Sequence, residues 1–570
     1  MNMNLEGLIS TARGESPADL VLINAKIINT LNAEIEEGSV AIYQGHIAGV
    51  GDYDQGKEII DLGGRYLAPG LIDGHIHLES TMLHPAEFAR TAVPRGVSAV
   101  ATDLHEIANV SGLRGIRFML DAVRDLPLDL YLMAPSCVPA THLETAGAQV
   151  GIEELEVALG WDNTIGLGEL MNFPGVLFRD PAVLAEIELF NGRVIDGHAP
   201  GLSGKDLNAY LCAGIRSEHE ATAFEEGEEK LRRGMYLMIR EGSQAKNLDA
   251  LLPLVTDNTY KRCLFVTDDR TASDLLRDGD IEAVVRKAIQ KGLDPVRAIQ
   301  MTTINPAEHF RLHRIGAVAP GYVANLIVIS DLHSLQVDMV FYRGKLVAQD
   351  SEPLFSAPLL ADPELTHTMN IKPFAVEALK IRATGETVPV IEIIPDQVLT
   401  KRRDERAKVE QGFIEPDIEH DILKLVVVER HKATGNIGRG LVKGFGLKKG
   451  ALAISVAHDS HNIVAVGTND QDIFLAVKEI ERLEGGLVIA AGGQILGSLA
   501  LPIAGLLSQE PIHVVVRKLE ELESLASSLG CALTSPFATL SFLALPVIPE
   551  LKLTDLGLVD VIQFKLLKQD

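Results

Sequence analysis

Cysteine is scarce. The 570-residue chain holds four, Cys137, Cys212, Cys263 and Cys531, far apart and without a Cys-x-x-Cys pair. That spacing indicates neither a disulfide framework nor a thiolate zinc site. Positive charge is also in deficit: 52 Lys and Arg stand against 78 Asp and Glu, a formal net charge of -26. Nucleic acid and anionic membranes would repel such a chain, so neither is expected as a partner. No run reaches the roughly 18 apolar residues of a membrane helix. Met1 to Pro17 carries Glu6, Arg13 and Glu15 in place of the apolar segment of a secretion signal, and a cytoplasmic location is expected. There is no internal repeat and no low-complexity tract. At 46% hydrophobic and 23% charged the composition is that of a folded protein, and the length calls for two or three domains.

Residues 20–66 read as short strands: Leu20 to Ile28, Ser39 to Tyr43 and His46 to Val50, with Gln44-Gly45 as a tight turn. From Leu71 apolar runs of about five residues alternate with helical patterns such as Pro85 to Arg95 and Gly227 to Arg233. The runs lead into His75, then span Val97 to Asp103, Leu130 to Ala134, Thr164 to Glu169, Arg193 to His198, Gly214 to His219, Met235 to Arg240 and Cys263 to Asp268. Strands buried on both faces read this way, and eight strand-helix units in roughly 250 residues make a (β/α)8 barrel. A doubly wound open sheet, the competing fold, would stop at five or six strands. Ile281 to Lys291 and Pro295 to His309 read as closing helices, after which strand character returns at Gly321 to Ser330 and Val337 to Tyr342.

The expected fold is therefore α/β: a TIM-type (β/α)8 barrel (67–315) inserted in a small split β-sandwich domain (1–66 plus 316–368). A linker at Pro353 to Pro363 leads to a C-terminal α/β domain (369–570). In that domain Leu423 to Val428, Ala451 to Val456, Ile463 to Val466 and Leu487 to Ala490 read as strands, and Asp472 to Leu483 as a helix.

Polar residues end five of the barrel runs: His75 and His77, then Glu169, His198, His219 and Asp268. Residues i and i+2 of a strand share a face, so His75 and His77 project together. Each residue alone reads more readily as an ordinary loop or turn group than as a ligand. At successive strand ends of one barrel mouth they become a donor set large enough for two divalent ions. His75, His77 and Asp268 would hold one, His198 and His219 the other, with Glu169 between. Two such ions share one hydroxide and lower the pKa of water from ~15.7 toward ~7. Mixed His and carboxylate ligands suit zinc, manganese or iron and do not choose among them; the expected ions are manganese or iron, with zinc as a third option. A second cluster, His458-Asp459-Ser460-His461, follows a strand of the last domain. It reads either as a contribution to the barrel mouth or to a subunit contact, or as a local polar turn.

Two further patterns fail. Gly438 to Gly444 lacks the dinucleotide spacing, and His77-Leu78-Glu79 lacks the Pro-Cys-x-x-Cys partner of the zinc nucleobase deaminases.

The stretch Pro69-Gly70-Leu71-Ile72-Asp73-Gly74-His75-Ile76-His77 resembles the first-strand signature of the amidohydrolase superfamily. The order His-x-His, strand-four Glu, two single His and a final Asp resembles its ligand order. Within it, longer stretches resemble the bacterial-type adenine deaminases. They include His105-Glu106-Ile107-Ala108-Asn109-Val110, Asp196-Gly197-His198-Ala199-Pro200-Gly201-Leu202, Ile239-Arg240-Glu241-Gly242-Ser243, Thr267-Asp268-Asp269-Arg270 and His458-Asp459-Ser460-His461-Asn462-Ile463. The resemblance covers nearly the whole chain. It implies a binuclear metal centre and hydrolysis of adenine to hypoxanthine and ammonia, as in purine salvage, by a metal-bound hydroxide attacking C6. It favours Asp268 over Asp269 as ligand and proton shuttle, with Glu169 as the bridge. Substrate contacts are expected from His105, Glu106, Arg240, Glu241 and Ser243, and a homo-oligomer from the enzyme type. A hydrolase of the same superfamily acting on a cyclic amide or another amino-heterocycle is the alternative. A barrel that has lost catalysis is a third reading, against which the complete ligand set stands.

Overall fold

The computed structural model describes residues 4–395 and 397–567. Its centre is a ring of eight parallel strands: Leu71–His77, Val97–Asp103, Asp129–Ala134, Thr164–Leu170, Val194–Gly197, Ser217–Glu218, Tyr236–Arg240 and Cys263–Val266. The first two are buried at every position, as their unbroken apolar runs require. Strands one to five form one ladder and six to eight another. Asp268–Asp269, just past the eighth strand, pairs with Ile76 and His77 and closes the ring on the first strand. Between the fifth and sixth strands the ladder is interrupted, and the Arg216 amide reaches the Ile195 carbonyl at 3.4 Å. At this seam Gly197 is needed: a Cβ there would lie 2.5 Å from the Ser217 carbonyl oxygen. The ring is filled by side chains. Ala101, Met133, Val194, Met238, Leu264 and Val266 cluster with Phe310.

The closing helix expected over Pro295 to His309 is two, Pro295–Gln300 and Ile304–His309. Pro306 lacks the N–H that a continuous helix needs there, and the chain breaks at Met301 to Thr303.

Strands from before and after the barrel build one nine-stranded sheet. Ala18–Asn29 pairs in parallel with Tyr66–Pro69, which leads into the barrel, and Tyr66–Pro69 pairs antiparallel with Leu326–Asp331, which follows it. The sheet encloses its own core of Leu22, Ile27, Val40, Leu67, Leu326 and Phe341, drawn from both segments.

The remaining chain carries an eight-stranded, mainly antiparallel sheet. It includes Ile422–Val428, Ala451–Ile454, Ile463–Gly467 and Gly486–Ala491, with the helix Asp470–Arg482 against it. This sheet unit is tied to the barrel by polar contacts. Ser508 N–H donates to the Met82 carbonyl at 2.8 Å, Ile512 N–H to Glu87 at 3.0 Å and Thr145 to Asp555 at 2.7 and 2.9 Å. Among the described residues no helix is long and apolar enough to cross a membrane.

Candidate metal centre and active site

The C-terminal ends of the barrel strands bring His75, His77, Glu169, His198, His219 and Asp268 together. All are buried except His198, which is partly so. His75 and His77 leave the same face of the first strand, their Nε2 atoms 3.3 Å apart. Asp268 Oδ1 lies 3.5 Å from the first and 3.1 Å from the second. Glu169 stands between two pairs: Oε1 is 3.2 Å from His77 Nε2, while Oε2 is 2.6 Å from His198 Nδ1 and 3.4 Å from His219 Nε2. His219 stacks on His75 with ring centroids 4.1 Å apart.

Local sequence explains the convergence. Gly168 lets the fourth strand pass close to the second, because a Cβ would sit 2.1 Å from Asp103 Oδ2. The same Asp103 oxygen accepts from the Glu169 amide at 3.0 Å. Asp268 adopts a left-handed backbone, φ 59°. That conformation is disfavoured for residues with a Cβ and least so for Asp and Asn. It separates Asp268 from the ladder of the eighth strand and turns its carboxylate to the histidines. Arg240 Nη1 fixes the other oxygen at 2.8 Å.

The electrostatics favour a cation. Burial alone would lower the His75 pKa, but Asp196 and Asp268 bring it up to about 10; His77 is raised likewise by Asp268 and Glu169. Glu169 and Asp268 are driven well below the usual carboxylate range, against their burial, by the histidines and by Arg240. A field that favours a proton on these rings equally favours a metal ion in its place. Nitrogen and oxygen donors crowd within 4.8 Å in the groups His75-His77-Glu169 and Glu169-His198-His219. The buried Nδ1 of His219 has no hydrogen-bond partner. The donors are of the types that divalent ions take, so the residues fit such a site.

Three contributors were not picked out in the sequence. Asp196 holds His75 Nδ1 at 3.0 Å and accepts from Ser217 at 2.7 Å. Glu220 approaches His219 at 3.5 Å and is paired with Arg240. Asp103 faces His105 at 3.5 Å. A carboxylate inside the apolar run Val194-Ile195-Asp196 was the available signal, since a buried charge needs a partner.

The expected substrate residues separate into two sets. His105 and Glu106 open a helix at the mouth, His105 Nδ1 lying 3.7 Å from Glu169. The second cluster joins them. His458 Nδ1 donates to Glu106 at 2.5 Å, His461 pairs with the other Glu106 oxygen, and His105, Glu106 and Asp459 form a further compact group. The cluster from the last 200 residues thus lies on the barrel mouth. Arg240 is engaged with Asp268 and Glu220. Glu241 is bonded to Lys287 and to the Leu248 amide, and Ser243 to Thr271.

An eight-stranded barrel carrying this donor set at its C-terminal rim has the form of an amidohydrolase, and residues 66–347 match the amidohydrolase family. Residues 397–565 match the adenine deaminase C-terminal domain. The chain is 59% identical to an adenine deaminase of Dehalococcoides mccartyi over 570 residues, all of both chains. It is 51% identical to adenine deaminase 2 of Carboxydothermus hydrogenoformans, with 98% of each covered, and 46% identical to an adenine deaminase of Methanothrix thermoacetophila, with 99% of each covered. The chain belongs to the adenine deaminase family.

Proposed function

We propose that this protein hydrolyses adenine to hypoxanthine and ammonia. The supporting observation is the full-length likeness to adenine deaminases, joined to a donor cluster that residues of the matching C-terminal domain cover. Residues 67–315 carry the chemistry, 1–66 with 316–368 form the scaffold, and 369–570 complete the mouth. Two divalent ions, manganese or iron with zinc as a third option, would be held by His75, His77, His198, His219, Glu169 and Asp268. When bound, such ions supply Lewis acidity and water of lowered pKa.

The residues do the remaining work. Asp268 is deprotonated and aimed by Arg240. It accepts a proton from the attacking water and returns it to the amino nitrogen on C6 as the C6–N bond breaks and the C6–O bond is kept. Negative charge develops on the ring nitrogens during attack. The His105-Glu106-His458 group supplies a proton there, and the second proton of the attacking water, released as the C6 carbonyl forms, balances the one it gave. His458 is held up to about 9 by Glu106, against its burial, and so carries a proton at neutral pH.

Ammonia release from adenine is the test, with protein loaded separately with Mn, Fe or Zn and with adenosine, cytosine and guanine as comparison substrates. Release from adenine alone is expected. Absence of release with every metal, despite bound ions, would overturn the substrate assignment.

A further inference from the structure

The N-terminal ends of the fifth to eighth strands, on the barrel face opposite the donor cluster, surround a cleft of about 400 Å3. Arg193 and Arg216 stand at the starts of the fifth and sixth strands, Arg262 precedes the eighth, and Arg311 follows the helix Ile304–His309. Against a chain with 78 acidic and 52 basic residues, this cleft gathers four guanidiniums and a single carboxylate, Glu308.

Their partners leave the charge intact. Arg311 donates to the Gly192 carbonyl at 2.7 Å and Arg262 to the Gly234 carbonyl at 3.2 Å. These are neutral acceptors that orient the groups. Among the described residues the side chains of Arg193 and Arg216 have no carboxylate and no hydrogen-bond partner. The back wall is aromatic. Arg262 lies over the Tyr236 ring at 4.7 Å, and His309 packs against that ring at 4.3 Å. His309 is 6% exposed, and its Nε2 has no hydrogen-bond partner. A buried polar atom in that state costs free energy unless a ligand or water meets it.

We propose that this cleft binds a small phosphate-bearing anion of the size of diphosphate or a nucleoside diphosphate. Guanidinium forks match phosphate oxygens in pairs and stay charged at all relevant pH. The cleft volume lies in the range of small-molecule sites. A nucleoside would gain the Tyr236 and His309 wall, whereas inorganic diphosphate would use the arginines alone. The cleft lies under the interrupted ladder between the fifth and sixth strands, whose far ends lead to His198 and His219.

The experiment is calorimetric titration of the metal-loaded, full-length protein with sodium diphosphate and with ADP at fixed ionic strength. The variant R193E/R216E and the neutral R193Q/R216Q are titrated alongside. Metal in the donor cluster also attracts phosphate, so the arginine variants carry the discrimination. Affinity should fall by about tenfold or more in both, as expected for loss of charge-assisted contacts. Adenine turnover without anion and the far-ultraviolet spectrum should stay unchanged. ADP binding more tightly than diphosphate assigns a nucleotide; equal affinities assign the phosphate alone. No binding of either anion, or unaltered affinity in both variants, overturns the proposal.

Discussion

Glu106→Gln is the sharpest test of how the two halves of the mouth cooperate. The carboxylate is buried, accepts from His458 Nδ1 at 2.5 Å, faces His461 and lies 3.5 Å from His105. The amide keeps the shape and removes the charge. Burial lowers the His458 pKa, and Glu106 is the largest of the effects that bring it up to about 9 from 6.5. Without that carboxylate the ring falls back toward its ordinary 6.5, with burial pulling it lower still, so most of His458 loses its proton at pH 7. If that proton reaches the ring, kcat should fall by roughly two orders of magnitude, within the range for general acids. Bound metal should remain, because Glu106 lies outside the six-residue donor set. The assay is steady-state deamination with metal analysis on the same sample, and a variant His458→Gln should show a comparable loss. Metal-replete Glu106→Gln turning over within about threefold of the parent would refute the role of this group in proton delivery.

Four other outcomes follow from the geometry. Asp268→Asn should keep most of its metal yet lose about 10²–10⁴ in kcat; near-normal turnover would remove the proton-shuttle role. Asp196→Asn releases the orientation of His75 and should cost about 10–100-fold in metal affinity, read by competition with a chelator. Gly168→Ala forces a Cβ against Asp103 and should destabilise the fold by about 1–3 kcal/mol, seen as a lowered melting temperature. Lys552 is fully buried, and burial lowers its pKa from 10.5 to about 7. Between those values the unfolded chain binds the extra proton, so this residue makes stability rise with pH from 7 toward 10.5. Lys552→Met should abolish that slope in urea titrations at pH 7, 8 and 9, with the parent as reference; identical slopes would contradict it.

The barrel was legible because its strands are buried on both faces. Runs such as Val97-Ser98-Ala99-Val100-Ala101 announce themselves without reference to tertiary contacts. The donor set was legible for a related reason: His75, Glu169, His198 and Asp268 each end an apolar run, and one architecture gives those ends a common mouth. What the sequence hides is direction after the strand stops. Arg240, Glu241 and Ser243 are neighbours, yet Arg240 turns to Asp268 while Glu241 turns to Lys287. His458 could be placed at a strand end but not on Glu106, 352 residues earlier, because no local pattern encodes the docking of one sheet on another. The break at Met301 to Thr303 shows the opposite case, where Pro306 was in view and its effect on the ladder was the deciding term.

The sheet that straddles the barrel sets an order of events during synthesis. Tyr66–Pro69 leaves the ribosome early, but its antiparallel neighbour Leu326–Asp331 emerges only after the entire barrel has been made. Until then one side of that strand presents unpaired amides and carbonyls, an invitation to pair with a neighbouring nascent chain. Slow elongation or crowded polysomes should therefore penalise this protein at its N-terminal sheet, and a chaperone that shields residues 18–69 would act where the exposure lasts longest. Once Leu326–Asp331 docks, entry to and exit from the barrel are hydrogen-bonded side by side, and the barrel becomes a closed loop that cannot unravel from either end without first opening the sheet.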